Sequence, residues 1–266
     1  MNNTKTDGIV ALAICSALTD FLILSNKQII FPRDRICNLL ISFIIALLGS
    51  FCCVKINFEK NIVKIISIAL IVIRAMYLMV AFAAYICIFH GLNRLEIFVF
   101  TIIIFAVIFE MEDNNICRIN IFFVLTNIVF ASTIILLCAG KINVANIYAN
   151  ELNVNFSIGK LFIYFDILTV LILLKDDKRK LQITNKFVVI TTIVFIFLTV
   201  VQGMSVKGNL MYILSPLQTL SQIFSTSNIR RYDYIFTAFF LINYFGAVIL
   251  YSRALKLLLR RSLYNV

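Results

Sequence analysis

Stretches of apolar residues separated by short polar turns recur along the whole chain of 266 residues. An α-helix rises about 1.5 Å per residue, so about 20 apolar residues are needed to cross the hydrocarbon core of a membrane. Nine stretches have this character and predict membrane elements: 8–25, 36–54, 62–89, 95–109, 119–139, 157–174, 187–204, 209–227 and 235–251. The pattern therefore predicts an all-α fold, a polytopic membrane helix bundle with about 9 membrane elements.

The stretch 209–227 differs from the others because Pro216 interrupts it and hydroxyl and amide side chains are frequent in it. Proline removes a backbone donor and clashes with the preceding turn of a helix. We therefore expect a broken, short or partly re-entrant element here, in which polar side chains satisfy the freed backbone groups.

Composition agrees with this pattern and excludes an ordinary soluble domain. Apolar residues make up 62% of the chain and charged residues 14%, with a mean hydropathy of +1.00. Soluble domains have about 45–50% apolar and about 25% charged residues. No polar segment is long enough for a separate domain, so residues 1–266 are predicted to form a single integral membrane domain in contact with membrane lipid.

The net charge of +11 does not indicate a nucleic-acid partner, because the basic residues stand mostly at the ends of the apolar stretches. Lys and Arg in short loops favour the cytoplasmic side of a membrane. The loop 175–186 carries five basic residues and is predicted to be cytoplasmic. The other basic residues are distributed too evenly to decide on which side the C-terminus lies.

Three charged residues lie well inside the apolar stretches: Asp20 in the first, Arg74 in the third and Asp166 in the sixth. An ionisable side chain in the middle of a bilayer is unfavourable by about 2.5–3.5 kcal/mol and usually faces a cavity or a partner. One interpretation is structural. Asp20 and Arg74 then reach the membrane interface separately, or Arg74 pairs with an aspartate for packing alone.

The other interpretation places the three charges around one interior cavity, with Arg74 and Asp166 facing it and Asp20 at its rim. Such a cavity suits a zwitterion, since carboxylates bind an ammonium group and a guanidinium or a helix N-terminus binds a carboxylate. Tyr77 and Tyr85 lie near the same helical face as Arg74. The candidate ligand-binding residues are Thr19, Asp20, Arg74, Tyr77, Phe165 and Asp166.

Residues suited to catalysis or to metal binding are not grouped in the sequence. The seven cysteines form no C-x-x-C motif, and His90 is the one histidine, so a second ligand is lacking. The cysteines are better interpreted as small buried apolar residues. No nucleophile–base pair or nucleotide-binding motif is recognisable, so we expect no enzymatic activity, no metal and no cofactor.

The segment 215–255 combines a proline-led stretch, a turn with basic and acidic residues, and an aromatic span with an inner glycine. It resembles the B subunit of spore germinant receptors, the GerAB-type endospore germination permeases of the amino acid–polyamine–organocation superfamily. The upstream spans resemble that family in order and spacing, including an acidic residue, Asp166, midway along the sixth. The matching positions of the segment are Pro216, Leu220, Arg231, Asp233, Phe236, Gly246, Leu250 and Tyr251.

The chain also departs from the family pattern. Thr219 and Gln222 stand where the family pattern tends to be acidic and basic, and Arg230 stands where it tends to be acidic. Leu18-Thr19-Asp20 stands where the family has a glycine-rich break. Nine elements are recognisable instead of the usual ten, so a short or divergent member is expected.

The resemblance implies a truncated inverted-repeat fold of the LeuT-like type, with a ligand site between broken first and sixth helices. It also implies sensing of an amino acid or another small germinant in the spore inner membrane, together with germinant-receptor A and C subunits. Two alternatives remain: a small-solute or amino-acid transporter, and an interaction subunit that binds no ligand. A sensor binds without sustained flux, a transporter moves its substrate, and an interaction subunit does neither.

Overall fold

The computed structural model of this chain describes residues 2–24, 32–58, 60–90, 93–111, 122–133, 136, 164–174, 177–205 and 233–263. These ranges contain helices and no β-strand, which confirms the predicted all-α class for them. The predicted eighth element, 209–227, lies outside them. The helices are α1 Asn2–Leu24, α2 Pro32–Cys53, α3 Asn61–His90, α4 Arg94–Glu110, α5 Phe122–Thr133, α6 Asp166–Leu173, α7 Lys180–Ser205 and α8 Asp233–Leu263.

Four of these helices contain a segment long and apolar enough to cross a membrane. The segments are Asp34–Cys53, Asn61–Cys87, Lys180–Val201 and Thr237–Leu259. Many large apolar side chains on α2, α3 and α4 are exposed, which is unfavourable in water but favourable in lipid. The chain is therefore a helical membrane protein by these criteria, with four spans among the described residues where the hydropathy pattern predicts about nine elements in all.

Helix α8 occupies the centre of the bundle. Its apolar window is 72% buried, whereas that of α2 is 28% buried. α8 packs most extensively against α1, and it also contacts the neighbouring pair α3 and α4. α7 packs against α1 and α2, and α6 fits between α1, α7 and α8. The interior of the bundle is thus built around the contact between the first and the last described helix.

A small residue permits the close approach of α8 to α1. At Gly246, an added Cβ would lie 2.5 Å from Cβ of Cys15 and 3.1 Å from its Sγ. A side chain of any size there would push the helices apart. Membrane helices associate largely through such close backbone packing, because lipid gives apolar side chains little reason to leave it.

Polar side chains connect helices across the bundle. Ser50 on α2 donates a hydrogen bond to Asn185 on α7 at 2.8 Å. Asn243 on α8 donates to Asn127 on α5 at 2.9 Å. Because hydrogen bonds between helices form in apolar surroundings here, these contacts favour one register of the helices over others.

The first turns of α1 and α7 lie at the same end of the bundle. Lys186 Nζ contacts Asp7 Oδ1 at 3.0 Å, and further along both helices the rings of Phe21 and Phe195 stack with centroids 4.6 Å apart. The two helices therefore run in the same direction. This agrees with placing the N-terminus and the loop 175–186 on one side of the membrane; which side that is remains a prediction.

Candidate functional site

Arg74 of α3 and Asp20 of α1 form an ion pair inside the bundle. The two side chains are 3% and 0% exposed, so both charges are removed from solvent. The structure corrects the prediction that Asp20 lies at the rim of a cavity or reaches the membrane interface. Asp20 is fully enclosed and is itself the direct partner of the guanidinium, because α1 and α3 meet near its position.

Asp166 lies in the first turn of α6, is fully buried, and accepts a hydrogen bond from the hydroxyl of Tyr251 on α8. The same hydroxyl is 2.9 Å from Ser16 Oγ on α1. Tyr251 thus ties three helices together at one point. It was not among the predicted site residues, although its place in the family-like segment and its hydroxyl group in an apolar helix were the signals that pointed to it.

Arg74 also interacts electrostatically with Asp166 and with the Tyr251 hydroxyl. The structure therefore brings together the three intramembrane charges that the sequence singled out. We call this group of residues the charged centre; it consists of Ser16, Asp20, Arg74, Asp166 and Tyr251. Within it, two carboxyl groups lie around one guanidinium, and Oδ2 of Asp166 has no hydrogen bond of ordinary geometry among the described residues.

Two aromatic rings flank the guanidinium. Cζ of Arg74 is 5.6 Å from the ring centroid of Tyr77 and 5.7 Å from that of Phe165. At this range a ring attracts a cation through its quadrupole. Tyr77 is 38% exposed, so it lies between the charged centre and the outside of the described bundle. Both residues were predicted at the site, and both lie beside Arg74.

Thr19 and Tyr85 have local roles in packing. The Thr19 hydroxyl is buried and donates to the carbonyl of Cys15 in its own helix at 3.0 Å. Tyr85 is buried against Phe240 of α8, with ring centroids 4.2 Å apart, and belongs to the α3–α8 interface. Tyr85 was predicted as a cavity wall near the same helical face as Arg74; it lies further along α3 and packs against α8.

The break that the family resemblance implies for the first helix is absent here. α1 is continuous from Asn2 to Leu24 and passes through Thr19 and Asp20 without interruption. No glycine or proline stands near these positions, and Asp20 meets its partner through a side chain rather than through exposed backbone. In the sixth element the α-helix begins at Asp166, after a turn at Tyr164 and Phe165; positions 157–163 of the predicted span lie outside the described residues.

The cysteines only partly match the prediction of small buried residues. Cys15 is buried in the α1–α8 contact, but Cys52 is exposed on the outer face of α2, where a thiol meets lipid at little cost. Among the residues that the structure describes, no three His, Cys, Asp or Glu side chains are grouped as metal ligands would be.

Chemically, the charged centre is suited to holding a positive group. Its two carboxyl groups share a single guanidinium, and Asp166 keeps an acceptor oxygen available in a position shielded from water. Buried charges persist in apolar surroundings only when they are paired or neutralised.

Comparisons with models of known protein families, with curated proteins and with solved structures returned no match to this chain.

Proposed function

We propose that this chain binds a small solute with an ammonium group, such as an amino acid, at the charged centre, and that it senses this solute as the B subunit of a spore germinant receptor. The observation that carries the proposal is the grouping of these charges: Arg74 pairs with Asp20, its Cζ is 5.7 Å from the ring of Phe165, and the neighbouring Asp166 interacts with it electrostatically. With both carboxyl groups ionised, one negative charge is left over. The ammonium group of a solute would supply the missing positive charge.

The carboxylate of an amino acid also finds a suitable group here. A guanidinium has five N–H donors, and the ion pair with Asp20 engages one end of it. The remaining donors can hold a carboxylate in the paired geometry that arginine favours. Tyr77, beside Arg74, would provide an aromatic wall for such a solute.

The germinant-receptor part of the proposal rests on the resemblance of the segment 215–255. Two positions of this segment make contacts that the structure describes. Gly246 packs closely against Cys15 of α1, and the Tyr251 hydroxyl donates a hydrogen bond to Asp166. These contacts connect the family-like segment with the charged centre. By the same resemblance we propose the spore inner membrane as the location and A and C subunits as partners.

The inverted-repeat fold belongs to the same proposal. The start of α6 at Asp166, within the predicted sixth span, supports it because such folds place a helix terminus near the ligand. The continuous α1 is a departure from it. A chain of this kind would hold its ligand mainly through the side chains of the charged centre.

A binding assay on the purified, detergent-solubilised chain tests the proposal. Each of the common amino acids is titrated, and every one that binds is compared with the matching acid without the amino group and the matching amine without the carboxylate. We expect the deaminated acid to bind more weakly than the amine. Asp166→Asn should weaken amino-acid binding about tenfold or more, because one buried charge pair is worth at least that factor.

Asp7→Asn serves as the matched control, because it removes an equally negative but exposed carboxylate far from the charged centre along α1. Equal binding by Asp166→Asn and the unchanged chain would contradict the proposal. Uptake of the solute, measured in sealed vesicles, then distinguishes a sensor, a transporter and an interaction subunit. A sensor binds saturably without sustained uptake, and a transporter takes the solute up. An interaction subunit neither binds the solute nor takes it up. Copurification of A- and C-type subunits tests the receptor assembly.

A further inference from the structure

A groove with apolar walls runs along the outside of α1, between α5, α7 and α8. It has a volume of about 420 Å³ and is lined by side chains that include Val10, Leu18, Ile128, Val194, Phe197 and Phe239. Asn127, in the same wall, already donates to the Phe123 carbonyl at 3.0 Å and accepts from Asn243 at 2.9 Å. The wall therefore offers little to a polar ligand and much to a hydrocarbon chain.

A second, polar pocket adjoins one end of this groove. That pocket has a volume of about 380 Å³ and is lined by Thr6, Asp7, Arg179, Gln182, Ile183 and Lys186. Asp7 and Lys186 line both spaces, so the polar pocket adjoins the apolar groove at this ion pair. The polar end carries two basic side chains and one acidic side chain, and the adjoining sequence 175–180 has four basic and two acidic residues.

The length of the apolar part suits one lipid chain. It extends along α1 from Asp7 to Leu18, which corresponds to about 16 Å at 1.5 Å per residue. One leaflet of a bilayer has a hydrocarbon depth of about 15 Å, half of the roughly 30 Å core. The polar pocket stands at the ends of α1 and α7, where a headgroup would lie.

The charges at the polar end can rearrange to receive an anion. Lys186 and Asp7 are 3.0 Å apart but 55% and 63% exposed, and exposed pairs of this kind contribute little to stability. Arg179 is 51% exposed, with Nε 3.7 Å from Asp177 Oδ1. A phosphate at Lys186 and Arg179 would therefore compete with two exposed ion pairs, Lys186–Asp7 and Arg179–Asp177, each of which is weak.

We propose that this combined site, the amphiphile groove, binds an anionic phospholipid, with its phosphate at Lys186 and Arg179 and one acyl chain along α1. This site is separate from the charged centre and does not depend on the chain's proposed sensing function. Basic residues near a membrane surface each strengthen binding of anionic lipid about fivefold. The bound lipid would fasten α5 and α7 onto α1.

The absence of tryptophan from the chain makes a clean measurement possible. Phe197→Trp puts a fluorophore in the groove, and Val107→Trp puts the matched control on the outer face of α4, where Val107 is 59% exposed. Each protein is reconstituted in vesicles of phosphatidylcholine that contain a small fraction of phosphatidylglycerol, with bromine on the acyl chains of one lipid or the other. Brominated chains quench tryptophan on contact.

We expect phosphatidylglycerol to quench Phe197→Trp more than its share of the lipid predicts, and Val107→Trp only in proportion. Lys186→Gln should reduce that preference about fivefold, and Asp7→Asn should increase it, because it removes the competing carboxylate. Ala131→Phe should reduce quenching at Phe197→Trp by filling the groove, whereas Ala106→Phe on α4 should not.

Three results would overturn the proposal. Proportional quenching by both lipids at both positions would mean ordinary contact with the bilayer. If neither brominated lipid quenches Phe197→Trp, a protein segment covers the groove. If quenching appears when the protein is diluted in the membrane, that segment belongs to a second copy of the chain. A preference that free glycerol phosphate abolishes would assign the polar pocket to a soluble phosphate compound.

Discussion

The hydroxyl of Tyr251 on α8 donates a hydrogen bond to Asp166 on α6, across 85 positions of sequence, and lies 2.9 Å from Ser16 on α1. One phenol group therefore joins three helices beside the Arg74–Asp20 ion pair. Several helices contribute to the charged centre, and its parts stabilise each other. The consequences for stability can be measured residue by residue.

Replacement of Tyr251 by phenylalanine should lower the free energy of unfolding by about 1–3 kcal/mol. The ring stays, but Asp166 loses its donor in a place without water, and an unsatisfied buried acceptor is unfavourable by that amount. Unfolding by sodium dodecyl sulfate, followed by circular dichroism, measures the change. Tyr77→Phe is the control, because that hydroxyl is at a partly exposed position; a similar loss in both variants would contradict the assigned role of Tyr251.

Arg74 and Asp20 should couple strongly in a double-mutant cycle. Arg74→Gln or Asp20→Asn alone leaves a buried charge without its partner and should destabilise by about 3–5 kcal/mol, whereas the double variant should recover part of this loss. The exposed pair Lys186 and Asp7 is the internal comparison, with an expected coupling of about 0–1 kcal/mol. Strictly additive losses for Arg74 and Asp20 would mean that they do not act as a pair.

Alanine at position 246 should separate α8 from α1. Its Cβ would lie 2.5 Å from that of Cys15, so the variant should lose about 1–3 kcal/mol of stability through overpacking. Cys15→Gly in the same chain should restore part of the loss by removing the opposing side chain. Gly49→Ala makes no such contact and should leave stability unchanged or raise it slightly; equal losses at the two glycines would refute the close contact.

Lys256 should protect the end of α4. Its ammonium group donates to the carbonyls of Phe109 at 2.8 Å and Met111 at 3.3 Å, which have no partners within the helix. Lys256→Met should therefore increase amide hydrogen exchange in the last turn of α4, measured by mass spectrometry, while Lys55→Met leaves it unchanged. Unaltered exchange in both variants would show that the carbonyls are satisfied otherwise.

The beginnings of α1 and α7 should have the same accessibility. Cysteines introduced at Thr6 and at Arg179 are at one end of the bundle, and both are predicted to be cytoplasmic. Neither should react with an impermeant thiol reagent in intact cells, and both should react once the cells are permeabilised. Labelling of both from outside would invert the topology, and labelling of only one would contradict the parallel arrangement of the helices.

Much of the architecture followed from the sequence because hydropathy is a local property. A membrane-crossing helix needs about 20 apolar residues in a row, so α2, α3, α7 and α8 are recognisable from their own segments alone. The helix ends predicted from hydropathy were less accurate. α7 begins at Lys180 instead of position 187, and α8 continues to Leu263 instead of ending at position 251. Polar residues at these ends continue the helix outside the apolar region, where hydropathy gives no signal.

The partners of the charged residues, in contrast, depended on tertiary structure. The cost of a charge in lipid marked Asp20, Arg74 and Asp166 as residues that need partners, but it did not say which partner each would have. The rotation and depth of each helix decide this, and they are set by contacts such as that of Gly246 with Cys15. Asp20 therefore pairs with Arg74, and Tyr251 binds Asp166. The partners are far apart in the sequence, so no local pattern could predict these pairs.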